Sequence, residues 1–163
     1  MNFFSKCKSF LLLDKKTKLL FCEAFIFLGW ARVLKMKKFS RIAPKLGEYM
    51  GETHHDVIES ERQIIKDISS AIHLMSRYTF WESQCLVKGI AGLKMLERRE
   101  IDSTLYLGTT REIDGKLVAH AWLRSGPFYV SGAEEMKRFT VVSMFAKRTG
   151  SKKGESHEKR MRS

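Results

Sequence analysis

The sequence predicts an α+β domain, with helices first and an antiparallel sheet second. Three observations predict it. Before residue 100, apolar residues recur at three- and four-residue steps in three separate segments. After Asp102 the period changes to two. Between two of the alternating stretches stands Asp114-Gly115, a dipeptide that favours a tight hairpin turn.

Leu12 to Lys35 reads as the first helix, with Leu19, Leu20, Glu23, Phe27, Trp30, Ala31 and Leu34 recurring at helical steps. It is apolar over most of its surface, so it must pack on the domain or on a partner chain. Residues 36 to 56 read as irregular, because Pro44, Gly47 and Gly51 interrupt helical continuity. His54-His55 lies here; adjacent residues on a regular element point apart, which argues against a metal pair. Val57 to Met75 is the second helix, striped by Ile58, Ile64, Ile65, Ile68, Ala71, Ile72 and Met75. Arg77 to Gln84, holding Tyr78, Phe80 and Trp81, reads as an aromatic turn, with Ser83 as the N-cap of a third helix. That helix runs from Gln84 to about Arg99 on Leu86, Ile90, Leu93 and Leu96, with Glu97-Arg-Arg-Glu100 in solvent. Strands are expected at Thr104–Gly108, Leu117–Leu123, Phe128–Val130 and Phe139–Phe145. No internal repeat is visible.

The 163 residues carry 30 Lys plus Arg against 18 Asp plus Glu, a formal net charge of +12. Such a surface suits an anionic partner. The charge concentrates at Lys35–Lys38 with Arg32 and Arg41, and in a tail from Lys147 to Ser163 with little apolar content, read as disordered. The expected divisions are a helical region at 1–60 packed on the core, the core itself at 61–146, and the tail at 147–163. Phe10–Leu13 is too short for a signal core of at least ~7 residues. Leu19–Ala31 contains Glu23 and falls short of the ~20 residues that span a bilayer. The expected compartment is the cytoplasm, with peripheral membrane contact left open. Three widely spaced cysteines, at 7, 22 and 85, fit neither a disulfide framework nor a CxxC metal site, and the five histidines form no HExxH pair. No metal, nucleotide-binding loop or other cofactor site is expected.

Cys85 falls in the first turn of its helix, where unpaired N–H groups and the macrodipole favour an anion, and a thiolate is one. Gly89 and Gly92 share its face at i+4 and i+7, keeping that face small for something pressed against it. His120 is central in a strand where Val118, His120 and Trp122 take one face and Leu117, Ala119, Ala121 and Leu123 the other. Both faces are apolar, so the strand is expected to be covered on both. A histidine there needs a hydrogen-bond partner, and Cys85 is one candidate, on a helix packed against the His120 face.

These residues stand in words that resemble a known family. Ser76-Arg-Tyr-Thr-Phe-Trp81, Ser83-Gln-Cys-Leu86, Met95-Leu-Glu-Arg-Arg99, Leu105-Tyr-Leu-Gly108 and Ala119-His-Ala-Trp-Leu123, in this order and spacing, resemble the stand-alone leader peptidases of lasso-peptide biosynthesis. The resemblance covers about Leu11 to Phe145. It implies a papain-like or transglutaminase-like core and a cysteine endopeptidase that cuts between leader and core of a ribosomally made precursor peptide. Cys85 would be the nucleophile and His120 its base, with the Cys85 N–H as an oxyanion donor and Gln84 or Trp81 as the second. Trp122 belongs to the same motif as a substrate-site candidate. The family's acid follows the histidine by about a dozen residues, where this chain has Gly132; Asp114, Glu134 or a backbone carbonyl would have to orient the imidazole. The implied partners are a small leader-recognition protein and an ATP-using macrocyclase, with no nucleic acid. The competing readings are an acyl-transferring enzyme on the same core and a non-catalytic peptide-binding module.

Overall fold

The computed structural model describes residues 14–56 and 59–149. The expected readings at Phe10–Leu13, at Cys7, at Val57 and Ile58 and beyond Thr149 lie outside the described residues. Four helices and a five-stranded antiparallel sheet make up the described chain, and apart from a two-residue strand the helices precede the sheet.

Helix α1, Lys15–Lys35, is capped by Asp14, whose carboxylate accepts from the Thr17 N–H at 3.1 Å. Its buried line is Ala24, Leu28, Ala31 and Leu34. Leu19 and Trp30, part of the predicted stripe, are exposed. A helix apolar nearly all round has no periodicity that sets its rotation, so packing decides it. Glu23, the charge in that apolar stretch, is held by the Arg99 guanidinium at 2.6 and 3.0 Å. Arg99 is therefore not a solvated helix end as expected: it pins the end of the helix that begins at Cys85 to α1.

Residues 36–56 are not wholly irregular. Phe39–Leu46 forms helix α2, and Glu48–Tyr49 a short strand, β1. Pro44 sits within α2. Proline removes a donor and strains a long helix, but in this eight-residue helix two buried anchors, Ile42 and Leu46, hold the turn in place. Helix α3, Glu59–Ser76, buries Ile65, Ile68, Ala71 and Ile72, a line the periodicity predicts. Helix α4, Cys85–Glu97, is the central element: it packs on α1 and α3 on one side and on the sheet on the other.

The sheet comprises β1, β2 (Ser103–Arg111), β3 (Leu117–Ser125), β4 (Phe128–Ser131) and β5 (Thr140–Lys147), in the order β1-β5-β2-β3-β4. The β2–β3 hairpin turns at the expected Asp114-Gly115, with Gly115 at φ 81° and the Asp114 carboxylate accepting from the Lys116 N–H at 3.0 Å. The first residues of the predicted tail belong to this fold: Lys147 ends β5, and the Thr149 N–H donates to Asp102 at 2.7 Å. Leu105, Leu123, Val130 and Phe145 join the buried helical side chains in one apolar core.

Candidate active site

Cys85 is the first residue of α4. The N-cap is Gln84, in extended conformation, rather than the expected Ser83; the Ser83 hydroxyl is hydrogen-bonded to the Thr79 hydroxyl at 2.9 Å. The Gln84 carbonyl accepts from the Lys88 N–H at 3.0 Å, and its side chain makes no capping bond and is exposed. The leading N–H groups of α4 thus have no side-chain cap beside a half-buried thiol. Trp81 is turned the other way. Its ring packs on Phe25 at 5.1 Å and over Gly29, and its indole nitrogen is buried with no hydrogen-bond partner among the described residues. That is packing of the loop onto α1.

Gly89 and Gly92 do what their spacing predicts. A Cβ on Gly89 would lie 2.7 Å from Leu105, and one on Gly92 2.7 Å from Leu123 and 3.0 Å from Ile72. These contacts show which sheet face α4 covers. Leu105 and Leu123 are register partners, as are Tyr106 and Trp122, and Gly108 and His120. Successive residues alternate faces, so α4 covers the Leu105–Leu123 face, and His120 and Trp122 project from the other. The expectation that the helix packs on the His120 face is corrected accordingly. So is the expectation that β3 is covered throughout: Ala121 to Ser125 are buried, whereas Leu117 and Ala119 are exposed. On the helix-covered face, cover ends between Ala121 and Ala119, next to His120.

On its own face His120 is tightly defined. The imidazole lies between the rings of Phe139 and Trp122, at 4.9 and 6.0 Å between centroids and within 30° of parallel to both. Trp122 in turn stacks on Tyr106 at 5.6 Å. Gly108, opposite His120, makes room: a Cβ there would lie 2.9 Å from both Phe139 and the Trp122 ring. The Tyr106 hydroxyl donates to Glu52 and accepts from the buried Arg124. All five Arg124 N–H groups are used, on Tyr106, Glu52 and the carbonyls of Thr53, His54 and Gly126. Sequence reasoning missed this network; an arginine in a strand that is otherwise buried was the available signal.

The group that orients His120 is a main-chain one. The His120 Nε2 is 2.8 Å from the Gly132 carbonyl oxygen. A carbonyl only accepts, so Nε2 carries the hydrogen, and in the neutral ring Nδ1 keeps its lone pair. Asp114 is engaged in its own turn and Glu134 is exposed. Gly132 is at φ 75°, and a Cβ there would lie 2.3 Å from the Ala121 carbonyl oxygen. No acidic side chain fits at this position without moving the strand. Among the described residues no group of three His, Cys, Asp or Glu converges as a metal site would need, and no helix is long and apolar enough to cross a membrane.

A helix beginning at Cys85, followed by an antiparallel sheet that carries His120, makes this an α+β domain. The chain belongs to the transglutaminase-like superfamily, whose family model matches residues 24–144. No curated protein and no solved structure matches it. The superfamily includes cysteine peptidases and acyltransferases.

Proposed function

We propose that this protein is a cysteine peptidase that removes the leader from a ribosomally made lasso-peptide precursor, with Cys85 as nucleophile and His120 as its base. The observation that carries the chemistry is the 2.8 Å contact between His120 Nε2 and the Gly132 carbonyl, which leaves Nδ1 free to take a thiol proton. The substrate class rests on the resemblance of Ser83–Leu86 and Ala119–Leu123 to the leader peptidases. α4 covers the sheet face opposite to His120, so this reading requires the thiol to reach the imidazole past the exposed beginning of β3, beside Ala119.

In this reading His120 takes the Cys85 proton and the thiolate attacks the scissile carbonyl. The Cys85 N–H and the exposed Gln84 amide stabilise the oxyanion. As the C–N bond breaks, His120 returns the proton to the leaving amine. Water, deprotonated by His120, then cleaves the thioester and releases the leader as a carboxylate. The expected partners are the precursor, a separate leader-recognition protein and an ATP-using macrocyclase that takes the freed core peptide. A second reading, acyl transfer to an amine, proceeds from the same intermediate and differs only in what intercepts the thioester.

The test is product mass after mixing the protein with its cognate precursor, with and without the recognition protein. Wild type should give leader and core masses, and Cys85→Ala and His120→Ala should reduce cleavage by about 10³-fold or more. Cleavage by Cys85→Ala at the wild-type rate ends the proposal, and a leader joined to an added amine selects the transfer reading.

A further inference from the structure

A cavity of about 260 Å³ opens between α1, α2, α4 and the end of β5. Its lining combines apolar side chains, Trp30, Leu34 and Leu93 among them, with three lysines, Lys45, Lys94 and Lys147. The one acidic group there is Glu97. Its two carboxylate oxygens are taken separately, by Lys94 at 2.7 Å and by Lys147 at 2.9 Å. Among the described residues Lys45 forms no ion pair, so the cluster is left with two uncompensated positive charges beside an apolar wall.

Neither half of this arrangement has a use in the acyl-transfer chemistry. Glu97 is at the far end of α4 from Cys85, twelve residues along and so roughly 18 Å away at the helical rise. For packing alone, an unfilled concavity lined with Trp and Leu forfeits contact energy, and three lysines lining one cavity with a single carboxylate repel one another. Both costs are relieved by a ligand with an apolar body and an anionic head. Small-molecule sites have this form, an apolar lining with a few convergent polar groups. The volume of about 260 Å³ lies near the lower end of small-molecule sites.

We propose that the cavity between Trp30, Leu34 and Leu93 and the Lys45–Lys94–Lys147 cluster binds a small amphiphilic carboxylate, its chain against the apolar wall and its head between Lys45 and Lys147. Trp30, at the mouth and 39% exposed, is the natural reporter.

The experiment is a titration of the full-length chain with sodium octanoate, followed by calorimetry and by tryptophan fluorescence, with 1-octanol and anionic phospholipid vesicles in parallel. Octanoate should bind saturably at one site, and 1-octanol, which has the chain without the charge, about tenfold more weakly or less. Rising salt should weaken octanoate binding. Lys45→Met and Lys147→Met keep the stem and remove the charge, and each should weaken octanoate about tenfold without changing 1-octanol. Lys45 is exposed, so its variant should fold even if the Lys147 variant does not. The proposal is overturned if octanoate does not bind, if 1-octanol binds as tightly, or if vesicles bind and octanoate does not. It is equally overturned if the Lys45 variant binds like wild type, since the ligand would then be adsorbed on the exposed Leu19–Ile26–Val33 stripe of α1. None of these outcomes depends on whether Cys85 cleaves a peptide.

Discussion

At the scale of single residues, His120 is defined by three neighbours that each act differently. Phe139 and Trp122 restrict the ring plane, and the Gly132 carbonyl chooses the tautomer. Gly132 is the most constrained of these, because it combines a positive φ with backbone contact to Ala121. Gly132→Ala is expected to cost about 2 kcal/mol or more in urea unfolding, from left-handed strain and displacement of the strand. It should lower cleavage further than that loss explains, because the carbonyl moves off Nε2. Unchanged kinetics in a folded Gly132→Ala protein would remove the carbonyl from the mechanism. The sequence singles out Cys85 and His120 as residues, but not the sheet face from which His120 projects. The orienting group was open between Asp114, Glu134 and a carbonyl, because a main-chain oxygen has no residue type to announce it.

At the scale of elements, α4 is placed by two glycines that differ in how much room they have. Gly92 faces Leu123, Ile72 and Val130, whereas Gly89 faces one flexible Leu105 methyl group. Alanine gains up to ~1 kcal/mol in helix propensity over glycine, while overpacking costs roughly 1–3 kcal/mol. Gly92→Ala should therefore destabilise by about 1 kcal/mol or more, and Gly89→Ala should be near neutral, as read from urea midpoints. Equal effects would mean that the helix shifts as a rigid body and does not rest on these two points. The glycine spacing made the close face legible. The Cys85 end of the helix was legible too, but not the cap: Ser83, a good capping residue, bonds to Thr79 instead. Helix α2 was hidden by Pro44, which local rules read as a break and which the buried Ile42 and Leu46 override.

At the scale of the molecule, Arg124 ties the segment Glu52–His54 to the sheet face that carries His120, through Tyr106, the Glu52 carboxylate and the carbonyls of Thr53 and His54. Burial, then the bond to Glu52, pushes the Tyr106 hydroxyl up to about 12. A phenol with a raised value in the folded state contributes stability that is complete below its ordinary value of 10.0 and lost as pH rises toward about 12. Stability should therefore fall across that window, and Tyr106→Phe should flatten the fall; an identical slope in the variant would show the loss arises elsewhere. On the acid side, the hydrogen bond from Tyr106 and the nearby Arg124 charge hold Glu52 below its ordinary value. Its contribution is present above that value and is lost as pH falls through the lowered one. Glu52→Gln should make the acid limb of the stability curve shallower, read from thermal midpoints at successive pH values.

From the sequence by itself came the order of helices and strands, the hairpin at Asp114-Gly115, the small face on α4, and a cysteine and histidine in strong positions. Period-two alternation decides which residues of β3 share a face; it does not decide which face takes the helix when both are apolar. Only the tertiary structure decided that Leu123 meets α4 while His120 lies between Phe139 and Trp122. It also decided that a carbonyl orients the imidazole, and that Lys147 of β5 meets Glu97 of α4 at a cavity that Lys45 of α2 also lines. Each of these depends on atoms far apart in sequence being brought within contact distance, and no local pattern encodes such a meeting.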